Sequence, residues 1–480
     1  MLAKHAFYYF ISHGLPALIS FASIAIFTRL LTPEEYGIYA LIFAIAGLIN
    51  AVVFEWLKFS LIRYYPKYKD DSNFLETVKI SFLGLVLTST VVGLIFYLTF
   101  EQLSFAYLVL CLVLSWSQSW YGIHLSLLRA QLNPKSYGYL SFSRVALGLA
   151  LSTSLILVGL NEVGLLIGMI AAFWLTLLVP TLKVWKVRPN VTHLDHNMLK
   201  GFVKYGFPLT ITFLLTVVIH NSDRLIIEYL MTTSDTGVYS VTYDLTQQTI
   251  YTFMMVINLA AFPIAIKALE EKGEEAAYGQ VKKNTSLIFL ISIPAALGVM
   301  ILSSNFVHLF LGAEFREQAM MLIPYIAIAA VLRGFKIYCV DIVFHLKQES
   351  SLQVIPVVGA AIVNIGLNFL FIPVYGIEGA AIATLVAYAL AIVMSWIIVH
   401  VKINPLPFPT GDFFKIVLAT LIMGLVIWPL RHEVGVATFI YQVGMGAVVY
   451  GISIIVVNAL GVRGVLKQVY VSKIKGRFHA

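Results

Sequence analysis

Long apolar runs with few charges alternate with short polar segments along all 480 residues of the chain. Crossing about 30 Å of bilayer hydrocarbon takes roughly 20 helical residues. The runs are continuous and do not alternate in period two, which favours membrane helices over a membrane β-barrel. The pattern predicts fourteen spans, numbered in chain order: 7–30, 37–62, 79–100, 104–128, 137–158, 163–183, 205–230, 237–266, 284–304, 319–345, 352–373, 379–401, 413–430 and 438–460. We therefore predict an all-α polytopic membrane protein.

The composition also indicates a chain that is embedded in the membrane. It is 60% hydrophobic and 12% charged, and its mean hydropathy is +0.88. Soluble domains carry about 25% charged residues. We expect no part of the chain to fold as a separate soluble domain.

The basic residues predict an orientation. If the N-terminus is cytoplasmic, 24 of the 32 Lys and Arg fall in or beside cytoplasmic connections and termini, four fall on the opposite side and four within spans. Cytoplasmic loops of membrane proteins carry such an excess. The pattern predicts that both termini are cytoplasmic, and it explains the net charge of +8 without nucleic acid as a partner.

The chain also repeats itself at a distance of six spans. Landmarks recur in order at spans 1 and 7, 2 and 8, and 6 and 12: Gly14-Leu15-Pro16 and Gly206-Phe207-Pro208, Tyr36-Gly37-Ile38-Tyr39 and Thr236-Gly237-Val238-Tyr239, segment 159–164 and segment 375–379. A repeat of six spans keeps its orientation, which indicates a pseudo-two-fold axis along the membrane normal. We predict a six-helix bundle at 1–185, a cytoplasmic linker at 186–204, a second bundle at 205–402, and two further helices with a basic tail at 403–480.

No enzyme motif is present. We find no GxGxxG, GxxxxGK, HExxH, CxxC or GxSxG pattern and no large hydrophilic catalytic loop. The sequence predicts a protein that is not an enzyme and has no cofactor and no metal site. Cys111 and Cys339 lie in apolar runs and read as small packing residues.

Ionisable residues inside the spans carry the candidate chemistry. Each costs about 2.5–3.5 kcal/mol on insertion scales, so it usually faces a cavity or a partner. Spans 2, 5, 7, 8 and 10 contain such groups: Glu55 and Lys58; Arg144; His220, Asp223 and Arg224; Asp244; Arg333, Lys336 and Asp341.

These residues suggest a water-filled cavity that grips an anionic substrate such as a diphosphate, for which Arg offers a bidentate fork and Lys a point charge. The predicted substrate-binding residues are Lys58, Arg144, Arg333, Lys336 and His220. The predicted ion-coupling or charge-pair residues are Glu55, Asp223, Asp244 and Asp341. The alternative is that the charges pair with one another or extend to the interface, and that the histidines make packing hydrogen bonds.

Three segments carry a resemblance to a known family. Segment 27–41 reads FTRLLTPEEYGIYAL, segment 63–66 reads RYYP, and segment 373–384 reads PVYGIEGAAIAT. They resemble the bacterial polysaccharide flippases, the Wzx-type O-antigen and capsule repeat-unit translocases of the multidrug/oligosaccharidyl-lipid/polysaccharide (MOP) exporter superfamily.

The resemblance implies two six-helix bundles around a central cavity that work by alternating access. It implies an undecaprenyl-diphosphate-linked oligosaccharide as substrate, moved across the bacterial plasma membrane for O-antigen, lipopolysaccharide or capsule synthesis. Membrane lipids, a polysaccharide polymerase and chain-length machinery are the other partners it implies.

Other functions stay open at this point. A cation-coupled multidrug exporter usually has twelve helices and an acidic residue in span 1, which is absent here. A lipid II flippase also has fourteen helices but is expected to have a cavity richer in arginine. From other classes, a membrane glycosyltransferase or polymerase would show a long outer loop, and a non-transporting assembly protein would tolerate loss of the charges within spans.

Overall fold

The computed structural model describes residues 2–99, 104–185, 194–402 and 407–464, and for residues 2–13, 72, 212, 216 and 350 it describes the backbone alone. Every regular element in these ranges is helical. The α-helices are α1 Leu2–Leu30, α2 Pro33–Ile49, α3 Glu55–Tyr68, α4 Ser72–Thr99, α5 Phe105–Ala130, α6 Pro134–Leu155, α7 Asn161–Val184, α8 His196–Leu230, α9 Thr233–Lys272, α10 Glu274–Ile301, α11 Ser303–Phe310, α12 Arg316–Phe335, α13 Ile342–Leu346, α14 Val354–Tyr375, α15 Ile377–Lys402, α16 Thr410–Ile427 and α17 Val436–Val457. The predicted all-α fold is confirmed.

Each of the fourteen predicted spans coincides with a helical segment. Within the described ranges, ten helices are long and apolar enough to cross a membrane, or eleven if the bent α8 is one span. The exact number of crossings therefore stays a prediction. Large side chains such as Leu98, Leu370 and Leu425 are exposed on these helices, as expected for surfaces that face lipid.

Two π-helical segments widen helices in the part of the chain that the structure describes: Asn50–Phe54 and Lys336–Val340. The first joins α2 to α3 and the second joins α12 to α13, next to charges that the sequence places at membrane depth. π segments inside α-helices are rare and often lie at functional sites. Their positions single out Glu55–Lys58 and Lys336–Asp341.

The chain divides into two compact units. Unit 1 comprises Met1–Val241 and Asn364–Ala380, and unit 2 comprises Thr242–Val363 and Ala381–Ala480. In the core of unit 1, the ring of Trp120 packs against those of Phe82 and Trp185, with centroid distances of 4.7 Å and 4.8 Å. The core of unit 2 includes Ile250 and Met254, packed among small residues of α12.

The predicted domain limits stay a prediction. Residues 186–193 of the predicted linker and residues 465–480 of the predicted tail lie outside the described residues. The rest of the predicted linker is largely helical, because α8 begins at His196.

The repeated turns meet one another within unit 1. An ideal Cβ on Gly37 would lie 2.0 Å from the carbonyl oxygen of Thr233, and one on Gly237 would lie 1.9 Å from that of Pro33. The starts of α2 and α9 thus approach backbone to backbone, which only glycine allows. Contact between equivalent residues is expected beside a pseudo-two-fold axis.

A second repeated turn joins α6 to α7 and α14 to α15. Gly159 has φ +92° and Gly376 has φ +59°, in the left-handed region that favours glycine. After the first of these turns, α6 and α7 pack side by side, and the Ser152 hydroxyl donates to the Leu165 carbonyl at 2.9 Å. Both copies of the sequence motif therefore end one helix and begin the next.

Candidate functional site

Arg144 lines a cavity of about 340 Å³ inside unit 1. α6 begins at Pro134 after the Asn133 cap, whose side chain accepts the Ser136 backbone N–H at 3.1 Å. Arg144 lies ten residues further, about 15 Å along the helix. The cavity wall comes from α1, α2, α5, α6 and α7: Pro16, Phe43, Gln118, Tyr121, Leu125, Tyr137, Ser141, Arg144, Val145 and Phe173.

Aromatic rings hold the Arg144 guanidinium. Its central carbon lies 5.7 Å from the ring centroid of Tyr121 and 5.3 Å from that of Phe173. Within the described residues, no carboxylate lies within ion-pair distance of it. A guanidinium has five N–H donors in a planar fork, so a cation on aromatic faces can still direct donors at an anion. This cavity is therefore suited to a small anionic group.

Lys58 is already paired. Its ammonium forms an ion pair with Glu55 on the same helix, and it donates to the Asn50 side-chain oxygen at 3.1 Å. Both charged side chains are about one-eighth exposed. The predicted substrate-binding Lys58 and the predicted charge-pair residue Glu55 thus form one local unit behind the π segment.

Lys336 and Asp341 make the corresponding arrangement in unit 2. Lys336 Nζ lies 2.5 Å from Asp341 Oδ2, and both side chains are more than nine-tenths buried. The Ser395 hydroxyl donates to Asp341 Oδ1 at 3.1 Å. The charge on Lys336 is thus balanced inside the protein, so Lys336 is a weaker candidate for gripping substrate than Arg144.

Arg333 lies among tyrosines of unit 2. Its guanidinium carbon is 4.4 Å from the Tyr251 ring centroid, and one nitrogen is 3.5 Å from Gln247 Oε1. The Tyr338 hydroxyl donates to that of Tyr251 at 2.7 Å. Arg333 therefore shares with Arg144 a binding mode based on aromatic faces.

Asp223 is buried in a polar cluster of unit 1. It accepts the Tyr239 hydroxyl at 2.6 Å and the Asn368 amide at 2.7 Å. Ser222 donates to Asn364 at 3.0 Å in the same region. The cluster brings α8, the start of α9 and α14 together around one carboxylate.

The other two predicted residues are half-buried. His220 lies in unit 1 on α8, and Asp244 lies in unit 2 on α9. Both make interactions with other groups. The roles of all nine predicted residues stay predictions.

Sequence reasoning missed several partners of these charges. The stacking rings of Tyr121 and Phe173 come from α5 and α7, and no pattern in the sequence distinguishes them from other apolar positions. A usable signal did exist for Asp223: Asn364 and Asn368 stand four apart in an apolar span and are fully buried. Two amides on one face of such a helix predict a polar partner.

Comparison with known proteins bears out the resemblance. A family model described as "Polysaccharide biosynthesis protein" matches residues 26–320. The probable low-salt glycan biosynthesis flippase Agl15 of Haloferax volcanii is 23% identical over 412 residues, which is 82% of each chain.

Solved structures show the same fold. Lipid II flippase MurJ in an inward closed conformation has a TM-score of 0.74 at 16% identity, covering 94% of this chain and 98% of that one. A multidrug resistance MATE family transporter of the MOP superfamily, in an inward-facing conformation, has a TM-score of 0.59 at 13% identity, covering 81% and 96%. The chain is a multi-pass membrane protein with the MOP transporter fold, and it belongs to the polysaccharide biosynthesis protein family.

Proposed function

We propose that this protein is a flippase that moves an undecaprenyl-diphosphate-linked oligosaccharide across the bacterial plasma membrane by alternating access, for surface polysaccharide synthesis. The observation that carries the proposal is Arg144, a cation at membrane depth with no carboxylate partner among the described residues, lining a cavity. The family, described as "Polysaccharide biosynthesis protein", and the similarity to a probable glycan biosynthesis flippase support the proposal. Both termini are cytoplasmic in this proposal, as the basic residues predict.

Arg144 is the first contact for the diphosphate in this mechanism. Its guanidinium donates two parallel hydrogen bonds to a phosphate group, a geometry that lysine cannot copy. Within unit 2, Arg333 is a separate candidate cation for substrate binding, and His220 in unit 1 is a candidate hydrogen-bonding ring. The cavity of about 340 Å³ receives the diphosphate, and the isoprenoid tail stays in lipid.

The carboxylates serve the conformational cycle. Asp223 and Asp244 are the candidates for coupling to a cation, whereas Glu55–Lys58 and Lys336–Asp341 are charge pairs beside π segments. An ion pair that is formed in one conformation resists rearrangement until the substrate or an ion replaces one partner. Because Lys58 and Lys336 are held in such pairs, we assign the substrate-binding role to Arg144 and Arg333 ahead of the two lysines.

A lipid II flippase is the second candidate, favoured by the TM-score of 0.74 against MurJ. The substrates of both candidate flippases contain a polyprenyl diphosphate, so Arg144 could bind the diphosphate of either substrate. They differ in phenotype, since loss of a lipid II flippase stops cell-wall synthesis and loss of a surface-polysaccharide flippase does not.

Deletion of the gene tests the proposal. We expect undecaprenyl-linked repeat units to accumulate on the cytoplasmic face while surface polysaccharide disappears and the cells still grow. The measurement is the quantity of lipid-linked sugar that is accessible from each face, together with surface glycan. Normal surface glycan in a deletion strain without a second flippase would rule the proposal out.

A further inference from the structure

A second groove in unit 1 lies away from the Arg144 cavity, where α5 and α7 end and α6 begins. It encloses about 730 Å³. Gln131 at the end of α5, Lys135 at the start of α6 and Lys183 at the end of α7 line one end of it, and Leu147 and Leu175 line the other. By the positive-inside pattern, the lysine end is the cytoplasmic one.

The groove is graded from charged to apolar along the membrane normal. Lys183 stands eight residues beyond Leu175 on α7, about 12 Å, and Leu147 stands twelve residues beyond Lys135 on α6, about 18 Å. None of the described residues that line the groove is acidic. Lys183 forms no ion pair within the described part of the chain.

An unsatisfied hydroxyl lies between the two ends. Thr176 lines the groove on α7, is more than nine-tenths buried, and its Oγ1 has no hydrogen-bond partner among the described residues. A buried hydroxyl without a partner has lost its hydrogen bonds to water and gained none in return. A ligand acceptor at this depth would supply the missing hydrogen bond.

We propose that this groove binds an anionic diacyl phospholipid of the cytoplasmic leaflet. Lys135 and Lys183 bind the phosphate, Thr176 donates to an ester carbonyl below it, and an acyl chain lies along Leu147 and Leu175. Thr176 is seven residues, about 10 Å, deeper than Lys183 on α7, and the long lysine side chain spans part of that distance. An ester carbonyl is absent from polyprenyl phosphates, so Thr176 favours a phospholipid as the occupant.

Lipid titration in native mass spectrometry tests the site. The purified full-length protein is titrated with phosphatidylglycerol, and separately with phosphatidylcholine and undecaprenyl phosphate. We expect Lys135→Gln/Lys183→Gln to weaken phosphatidylglycerol binding by about thirtyfold, because the double variant removes both basic residues that bind the anionic phosphate. The control Lys272→Gln/Lys402→Gln removes two exposed lysines elsewhere and is expected to leave binding unchanged.

Thr176→Val separates the two lipid classes. It is expected to weaken phosphatidylglycerol binding about threefold and to leave undecaprenyl phosphate unaffected. Thr153→Val is the matched control, since that buried hydroxyl also lacks a partner in the described residues but does not line the groove. Equal losses in both lysine double variants, or displacement of phosphatidylglycerol by equimolar undecaprenyl phosphate, would overturn the proposal.

Discussion

Arg144 in unit 1 and Lys336 in unit 2 are both cations at membrane depth, yet their neighbours differ. Arg144 lies on the rings of Tyr121 and Phe173 beside a cavity, whereas Lys336 is locked to Asp341 and that carboxylate also accepts Ser395. A guanidinium is weakly hydrated and tolerates aromatic faces, while an ammonium is strongly hydrated and needs a counter-ion when buried. The type of cation therefore differs with its neighbours: the arginine lies on aromatic faces and the lysine lies beside a counter-ion.

The same division holds for the other two basic residues within spans. Lys58 pairs with Glu55, and Arg333 lies over Tyr251. Lys58 follows one π segment and Lys336 begins the other, and the widened turn changes which side chains meet. We expect lysine substitutions to affect stability first and arginine substitutions to affect transport first.

Asp341→Asn should have the largest effect, a loss of stability. It leaves the Lys336 charge buried without a counter-ion, which costs about 3–5 kcal/mol of folding free energy. The melting temperature in detergent should fall sharply, and Lys336→Met/Asp341→Leu should recover most of the loss, because an apolar pair replaces the ionic one.

Glu274→Gln is the matched control: it breaks an ion pair to Lys347 in which the Glu274 side chain is 52% exposed and should cost less than about 1 kcal/mol. Similar melting of Asp341→Asn and Glu274→Gln would contradict the structural role of the pair.

Arg144→Ala should lower export by about tenfold or more at an unchanged protein level. A charge-assisted hydrogen bond contributes about 1.5–3 kcal/mol, and 1.4 kcal/mol is a factor of ten. Arg144→Lys should retain part of the activity, because lysine keeps the charge but loses the planar fork. Surface polysaccharide and immunoblots in the complemented deletion strain measure both quantities.

The same substitution at Arg333 should also lower export. Arg431→Ala is the control, since Arg431 likewise lies over a ring, 4.3 Å from the Trp428 centroid, but at the surface. If Arg144→Ala and Arg333→Ala both export normally, neither residue belongs to the site.

Phe173→Leu should have the smallest effect, a reduction of export of about two- to fivefold, because one aromatic face contributes about 0.5–1 kcal/mol. Phe173 acts by positioning Arg144, so the loss should vanish when Arg144 is already alanine. Tyr121→Phe removes a hydroxyl but keeps the aromatic ring that Arg144 contacts, and it should leave export near the wild-type value. Additive losses in the Phe173→Leu/Arg144→Ala double variant would show that the ring acts independently of the guanidinium.

The sequence by itself determined the helical class and the position of every helix that a predicted span marks, because continuous apolar runs of about 20 residues leave the backbone no other way to satisfy its hydrogen bonds in lipid. It also determined the repeat, whose glycines recur at turns that need a left-handed or crowded backbone. The Glu55–Lys58 ion pair could also be predicted from the sequence, since an i, i+3 spacing puts both side chains on one helix face.

Tertiary structure decided which charges are balanced. Lys336 and Asp341 are five residues apart, about 140° around a regular α-helix, and only the π segment Lys336–Val340 lets them meet. The rings that hold Arg144 come from two other helices, α5 and α7. Sequence spacing fixes contacts within one regular helix, but contacts across helices and irregular turns depend on how the helices pack.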